Sequence, residues 1–204
     1  MSIFSYKQIK KEVIAEILGS PLRFLGGPFR KRTPYPFKRL YYDQIADENK
    51  KEIVRKVILD ILTTRDSLSS KRLRCFAAYI ASDIGLMEAK PIVEKMASDR
   101  SLQEESCLLL MIERALEKFN SEYRFSYEQV KKIVICLIGG KYVSWYFQGG
   151  FPYDFKRFYY NEATNVLKKE IIRRVLIEIL TDASTYSCRV RSSVAYIASD
   201  IGLI

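Results

Sequence analysis

The sequence predicts an all-α fold built from an internal duplication, on three observations: a helical hydrophobic stripe written twice, matching helix entries, and matching glycine-terminated helices. Of its 204 residues 48% are hydrophobic, a proportion that suits a chain burying a sizeable core. Apolar runs such as Cys107 to Ile112 and Ile133 to Ile138 are far shorter than the roughly 20 residues a membrane helix needs. Lys7, Lys10 and Lys11 alternate with apolar residues instead of preceding them, unlike a secretion signal. A cytoplasmic protein with no membrane span is expected.

Each copy opens on a helix entry. Phe4-Ser5-Tyr6-Lys7-Gln8-Ile9 and Phe125-Ser126-Tyr127-Glu128-Gln129-Val130 both read as a hydrophobic staple around a Ser-x-x-Gln capping box. The Ser hydroxyl and the Gln amide would satisfy backbone N–H groups that the first helical turn leaves without partners. Turn-rich stretches follow, Gly26-Gly27-Pro28 and Gly149-Gly150-Phe151-Pro152. They lead into a motif read as non-helical, Tyr35-Pro36-Phe37-Lys38-Arg39-Leu40-Tyr41-Tyr42 in one copy and Tyr153-Asp154-Phe155-Lys156-Arg157-Phe158-Tyr159-Tyr160 in the other.

The long helix comes next. Glu52 to Thr63 reappears in constant register as Glu170 to Thr181, and Ile53, Val57 and Ile61, doubled by Val54, Ile58 and Leu62, recur every four positions. On the wet side, Glu52 with Lys56 and Glu170 with Arg174 are spaced for ion pairs at i,i+4. Ala78 to Leu86 then matches Ala195 to Leu203, with small and large apolar residues alternating at helical spacing and Gly85 or Gly202 supplying a left-handed cap. Two more helices are expected after the first copy only, over Glu88 to Ala97 and Leu102 to Phe119. The second of these opens with Ser101-Leu102-Gln103-Glu104 as its capping box. The organisation is a first unit over 1–120, with a basic aromatic loop at 20–45 and helices at 70–119, and a shorter second unit over 121–204, joined in one continuous domain.

The stretch Arg74-Cys75-Phe76-Ala77-Ala78-Tyr79-Ile80-Ala81-Ser82-Asp83-Ile84-Gly85-Leu86-Met87-Glu88-Ala89 resembles a HEAT-like, armadillo-type repeat. In that family an Arg and an Ala-Ala pair precede a large residue, a small residue and Ile-Gly. The resemblance covers Lys71 to Phe119 and, in part, Arg189 to Ile204. It implies an α-solenoid whose stacked helix pairs form a superhelix and whose curved face binds other macromolecules.

Enzyme chemistry finds little footing. The chain has no histidine, which removes imidazole-based zinc sets and the Ser-His-Asp and Cys-His arrangements. Cys75, Cys107, Cys136 and Cys188 lie far apart within helical apolar patterns and read as buried, reduced thiols. Asp83 and Asp200, each before Ile-Gly, are expected to cap or to pair with an Arg of a neighbouring repeat. No catalytic, metal or cofactor residue is assigned.

A formal charge of +10 favours an acidic partner. The residues expected to meet it are Arg30, Lys31, Arg32, Tyr35, Phe37, Lys38, Arg39 and Tyr41 in the first copy, and Tyr153, Phe155, Lys156, Arg157 and Tyr159 in the second. No acid interrupts the first loop from Pro21 to Tyr42. Two readings of these motifs stay open. The aromatics pin a loop onto the helices, or aromatics and cations together form a binding platform. The function expected is a non-enzymatic binder of an acidic protein, of which a bacterial immunity protein neutralising a toxin would be one form. The alternative is a HEAT-like protein holding DNA or RNA on a basic face. The second copy lacks the two extra helices, so its last helix is expected to keep an apolar flank through which a homodimer could form.

Overall fold

The computed structural model describes residues 5–23, 37–64, 68–103, 105–120, 122–139, 155–161, 163 and 165–204, and among the described residues there is no strand. They group into two compact units, Met1–Tyr123 and Arg124–Ile204.

In the first unit α1 (Tyr6–Arg23) packs on α3 (Glu48–Thr63), α3 on α4 (Leu68–Asp83), and α4 on α7 (Ser106–Lys118). Between them lie α2 (Phe37–Leu40), a 3-10 turn at Tyr42–Gln44, a second at Met87–Ala89, α5 (Lys90–Ala97) and α6 (Arg100–Gln103). On α1 the residues Ile9, Val13 and Ile17, four apart, are buried. On α3 the residues Val54, Val57, Ile58, Ile61 and Leu62 are buried. Each such aliphatic side chain contributes about 1.5–3 kcal/mol when removed from water. The start of α3 is fixed by Asp47, whose carboxylate accepts from the backbone N–H of Asn49 at 2.8 Å and Lys50 at 3.1 Å.

Helix α4 is apolar on two sides because it lies between α3 and α7. Its small residues Ala77, Ala78 and Ala81 are all fully buried, which lets both neighbours come close. It ends as expected. Gly85 has φ +74°, the Leu86 N–H donates to Ala81 at 2.8 Å, and the Gly85 N–H donates to Ser82 at 3.3 Å. That is the reciprocal bonding of a Schellman cap.

The helices after α4 differ from expectation at their starts. The first begins as the 3-10 turn, and the α-helix proper starts at Lys90 with Pro91 in its first turn, where a missing N–H costs nothing. The second is broken in two. Asp99, not Ser101, caps α6 by accepting from the Ser101 N–H at 2.9 Å, and α7 restarts at Ser106 after Glu105.

In the second unit α9 (Val166–Thr181) packs against α8 (Tyr127–Gly139) and α10 (Cys188–Asp200). The capping box of α8 forms as read, with the Ser126 N–H donating to Gln129 Oε1 at 2.8 Å and the Gln129 N–H to Ser126 Oγ at 3.3 Å. Asn165 caps α9 at the place of Asp47. At the other end of the long helices Thr63 and Thr181 turn their hydroxyls back on the same two carbonyls of their own last turn. Helix α10 repeats the Schellman cap, with Gly202 at φ +71° and Leu203 donating to Ala198 at 2.8 Å.

Two expectations need correction. Glu52 pairs with Arg55 at 3.5 Å, not with Lys56, while Arg174 lies over the Tyr127 ring, 5.4 Å from its centre, instead of serving Glu170. The thiols are not uniformly buried either. Cys75 is, and burial pushes its pKa up to about 12, but Cys136 is half-buried and Cys188 is exposed at the first turn of α10. The Cys107 side chain lies outside the described residues.

Candidate functional site: the paired basic aromatic motifs

The motif is helical in both units, contrary to the non-helical reading. In the first, Phe37 to Leu40 forms a single α-turn closed by Tyr41 N–H to the Phe37 carbonyl at 2.9 Å. In the second, Lys156–Tyr160 winds as a wider π-turn, with the Asn161 N–H reaching the Lys156 carbonyl at 2.7 Å. Either winding brings the third and seventh motif residues, both aromatic, together on the inner side. Phe37 and Tyr41 have ring centres 5.0 Å apart, and Phe155 and Tyr159 5.4 Å.

That inner side is core. Phe37, Phe155 and Tyr159 are 0% exposed, and Tyr42 and Tyr160 nearly so. Phe37, Phe155 and Tyr159 therefore have no surface to offer a partner, and their expected part in a binding platform is withdrawn. Tyr41 is half-buried and donates its hydroxyl to Glu12 at 3.3 Å. The neighbouring tyrosines tie the motif to the long helix in the same way in each unit. Arg55 Nε donates to the Tyr42 hydroxyl at 2.7 Å, and Arg173 Nε to that of Tyr160 at 2.8 Å, each guanidinium also standing by the ring face.

The outer side differs between units. Lys38, Arg39 and Leu40 are all exposed, and neither cation has a carboxylate partner among the described residues. Arg39 is nonetheless held in place through its backbone, since Gln44 Nε2 donates to the Arg39 carbonyl at 3.1 Å. Lys156, the counterpart of Lys38, turns to the end of α10, donating to the Asp200 carbonyl and pairing with its carboxylate at 3.6 Å. In the first unit the equivalent carboxylate, Asp83, is taken by Lys118 of α7 at 2.6 Å, with the same ammonium 4.0 Å from the Tyr79 ring centre. Both aspartates thus pair with lysines, not with an Arg as expected. Burial lowers the Lys118 pKa, and the Asp83 and Tyr79 contacts outweigh it and raise it on balance, so this ammonium stays charged.

Of the other expected contact residues, Arg30, Lys31, Arg32, Tyr35 and Tyr153 lie outside the described residues, as do the Arg157 side chain and the motif-flanking glycines. A further pair of equivalent clusters was not foreseen. Tyr6 and Lys10 of α1 both reach Asp60 of α3, and Tyr127 and Lys131 of α8 both reach Glu178 of α9. The Tyr6 hydrogen bond holds Asp60 below the ordinary carboxylate range, and the Lys131 and Tyr127 bonds do the same for Glu178. The signal was present, since Tyr6 and Lys10 recur as Tyr127 and Lys131.

Among the described residues no helix is long and apolar enough to cross a membrane, and no group of Cys, Asp and Glu is placed to hold a metal ion. The arrangement defines an all-α, two-unit protein whose exposed motif chemistry is cationic. The chain matches no protein-family model, no curated protein and no solved structure.

Proposed function

We propose that the protein is a non-enzymatic binder of an acidic protein partner, with the outer edge of α2 as part of the contact surface. The observation that carries this reading is the pairing of Lys38 and Arg39 with exposed Leu40 on a turn whose opposite side, Phe37 and Tyr42, is locked in the core. A backbone already fixed by the core spares the cost of ordering the turn on binding, and Arg is enriched among interface hot spots. A net charge of +10 adds long-range attraction for an acidic surface. The HEAT-like solenoid architecture belongs to the same proposal, supported by the successive packing of α3 on α4 and α4 on α7. An inhibitor that occludes the active surface of an acidic toxin is one form of such a binder. Self-association through α10 is supported by Tyr196, 42% exposed on that helix. Sedimentation of the wild type against Tyr196→Lys checks it.

Lys38→Glu with Arg39→Glu should abolish capture of the partner, identified by mass spectrometry, while leaving the melting temperature unchanged. Capture that survives both changes rules out the α2 edge. Affinity for duplex and single-stranded oligonucleotides, titrated with salt, tests the nucleic-acid alternative, since phosphate contacts give a steep salt dependence.

A further inference from the structure

A cleft of about 900 Å³ opens in the first unit between the end of α3, α4, α5 and the turn before α6. Its wall is apolar where Pro91 and Ile92 line it, over buried Leu62 and Met96, and three cations from two helices, Lys71 and Arg74 of α4 and Lys95 of α5, stand round it. One carboxylate, Asp99, is present, and it is already engaged by the Ser101 N–H. Burial pushes the Asp99 pKa up, but the Ser101 contacts and the nearby Arg74 and Lys71 outweigh it, so the group stays ionised and cannot donate a proton to a ligand. Arg74 is oriented, its Nε donating to the Leu62 carbonyl at the end of α3 at 3.0 Å. Lys71 donates to the Ser101 carbonyl at 3.4 Å, and Lys95 is exposed with no side-chain partner among the described residues.

The cleft lies in the first unit. At the corresponding place of the second unit Lys71 is replaced by Cys188. Arg191 stands for Arg74, but its Nε is buried without an acceptor among the described residues.

From this geometry we infer that the cleft binds a small organic anion with an apolar body, an alkyl or aryl group bearing a carboxylate, phosphate or sulfonate. Volume and lining suit that class, since small-molecule sites run to roughly 300–1,000 Å³ with apolar walls and a few convergent polar groups. The apolar body covers Pro91 and Ile92, and the anionic head meets Lys71, Arg74 and Lys95 by charge-assisted hydrogen bonds. This site is independent of the α2 edge.

The test uses the full chain and 8-anilinonaphthalene-1-sulfonate, an aryl sulfonate that fluoresces when its ring leaves water. Saturable binding is expected, displaced by octyl phosphate about tenfold more effectively than by octanol, a difference of about 1.4 kcal/mol. Lys71→Gln with Lys95→Gln should weaken it about tenfold or more, and Lys38→Glu with Arg39→Glu should leave it unchanged. Absence of saturable binding, equal displacement by octanol, or full affinity in the Lys71/Lys95 variant overturns the inference. Should that variant melt lower than wild type, the octyl phosphate against octanol comparison on the wild-type protein decides alone.

Discussion

The two units carry the same motif on the same scaffold and use its lysine differently. In the second unit Lys156 closes the end of α10 by pairing with Asp200. In the first, Lys118 arrives on α7 and takes Asp83, and Lys38 stands exposed. The added helices also change what α4 shows. Cys75, Ala78, Tyr79 and Ser82, spaced as one helical stripe, are buried in the first unit. Their counterparts Ser192, Ala195, Tyr196 and Ser199 are exposed or half-buried in the second. A third difference lies beneath the motif. Glu12 pairs with Lys50 at 3.1 Å in the first unit, whereas Ile133 occupies the corresponding place in the second and buried Lys168 lies 4.8 Å from the centre of the Tyr159 ring. A lysine at this position keeps company with a carboxylate in one setting and an aromatic face in the other. Duplication preserved the frame, and a neighbouring helix decided which cation faced outward.

The comparison can be broken most sharply at its shared core. Phe37→Ala and Phe155→Ala should each cost about 3–5 kcal/mol, the range for emptying a fully buried aromatic site. Urea unfolding followed by far-ultraviolet circular dichroism measures both. A cost below about 1 kcal/mol at either site would mean that the two motifs do not play the same structural part. Next comes the flank of the last helix. Tyr79→Ala should lose about 3 kcal/mol and Tyr196→Ala under about 1 kcal/mol, because only the first tyrosine is covered. Equal losses would show that the α10 flank is covered in solution.

Smaller effects sharpen the likeness. Gly85→Ala and Gly202→Ala should each cost about 1 kcal/mol, since an added Cβ meets nothing within 4 Å and only the left-handed backbone resists it. Thermal melts should place the two within error of each other. The smallest effect is acid dependence. The pKa values of Asp60 and Glu178 are depressed by folding, so the stability they contribute is complete above their ordinary carboxylate values and is lost as pH falls through the depressed ones. Asp60 is exposed and Glu178 partly so, and solvent screening keeps the contribution to about a few tenths of a kcal/mol each, on the order expected for surface pairs. Asp60→Asn with Glu178→Gln should flatten the fall in melting temperature below about pH 4. An unchanged acid limb would assign it to other carboxylates.

The long helices and several of their ends were legible in the sequence because their determinants are local, whereas the break between α6 and α7 was not. The four-residue stripe of α3 and α9, the Ser126 box and the two Gly caps each depend on residues a few positions apart. The motif was misread as non-helical because glycines and prolines precede it and its aromatics favour extended backbone, while its one helical turn is secured by distant groups such as Arg55 and Arg173. Burial of Phe37 and Phe155 was hidden for the same reason. Lys71, Arg74 and Lys95 each occupy an ordinary helix position, and only the stacking of α3, α4 and α5 gathers them round one cleft.

The long helices are pinned at three points each: an Asx cap, an arginine held by a motif tyrosine, and a threonine folded back on the last turn. One inserted residue between Asn165 and Arg173 would swing the guanidinium about 100° away from Tyr160, because each helical residue turns the chain by that amount. Side chains on the outer face of α9 are therefore free to vary in kind, but the number of residues between cap and arginine is fixed, and the same holds from Asp47 to Arg55.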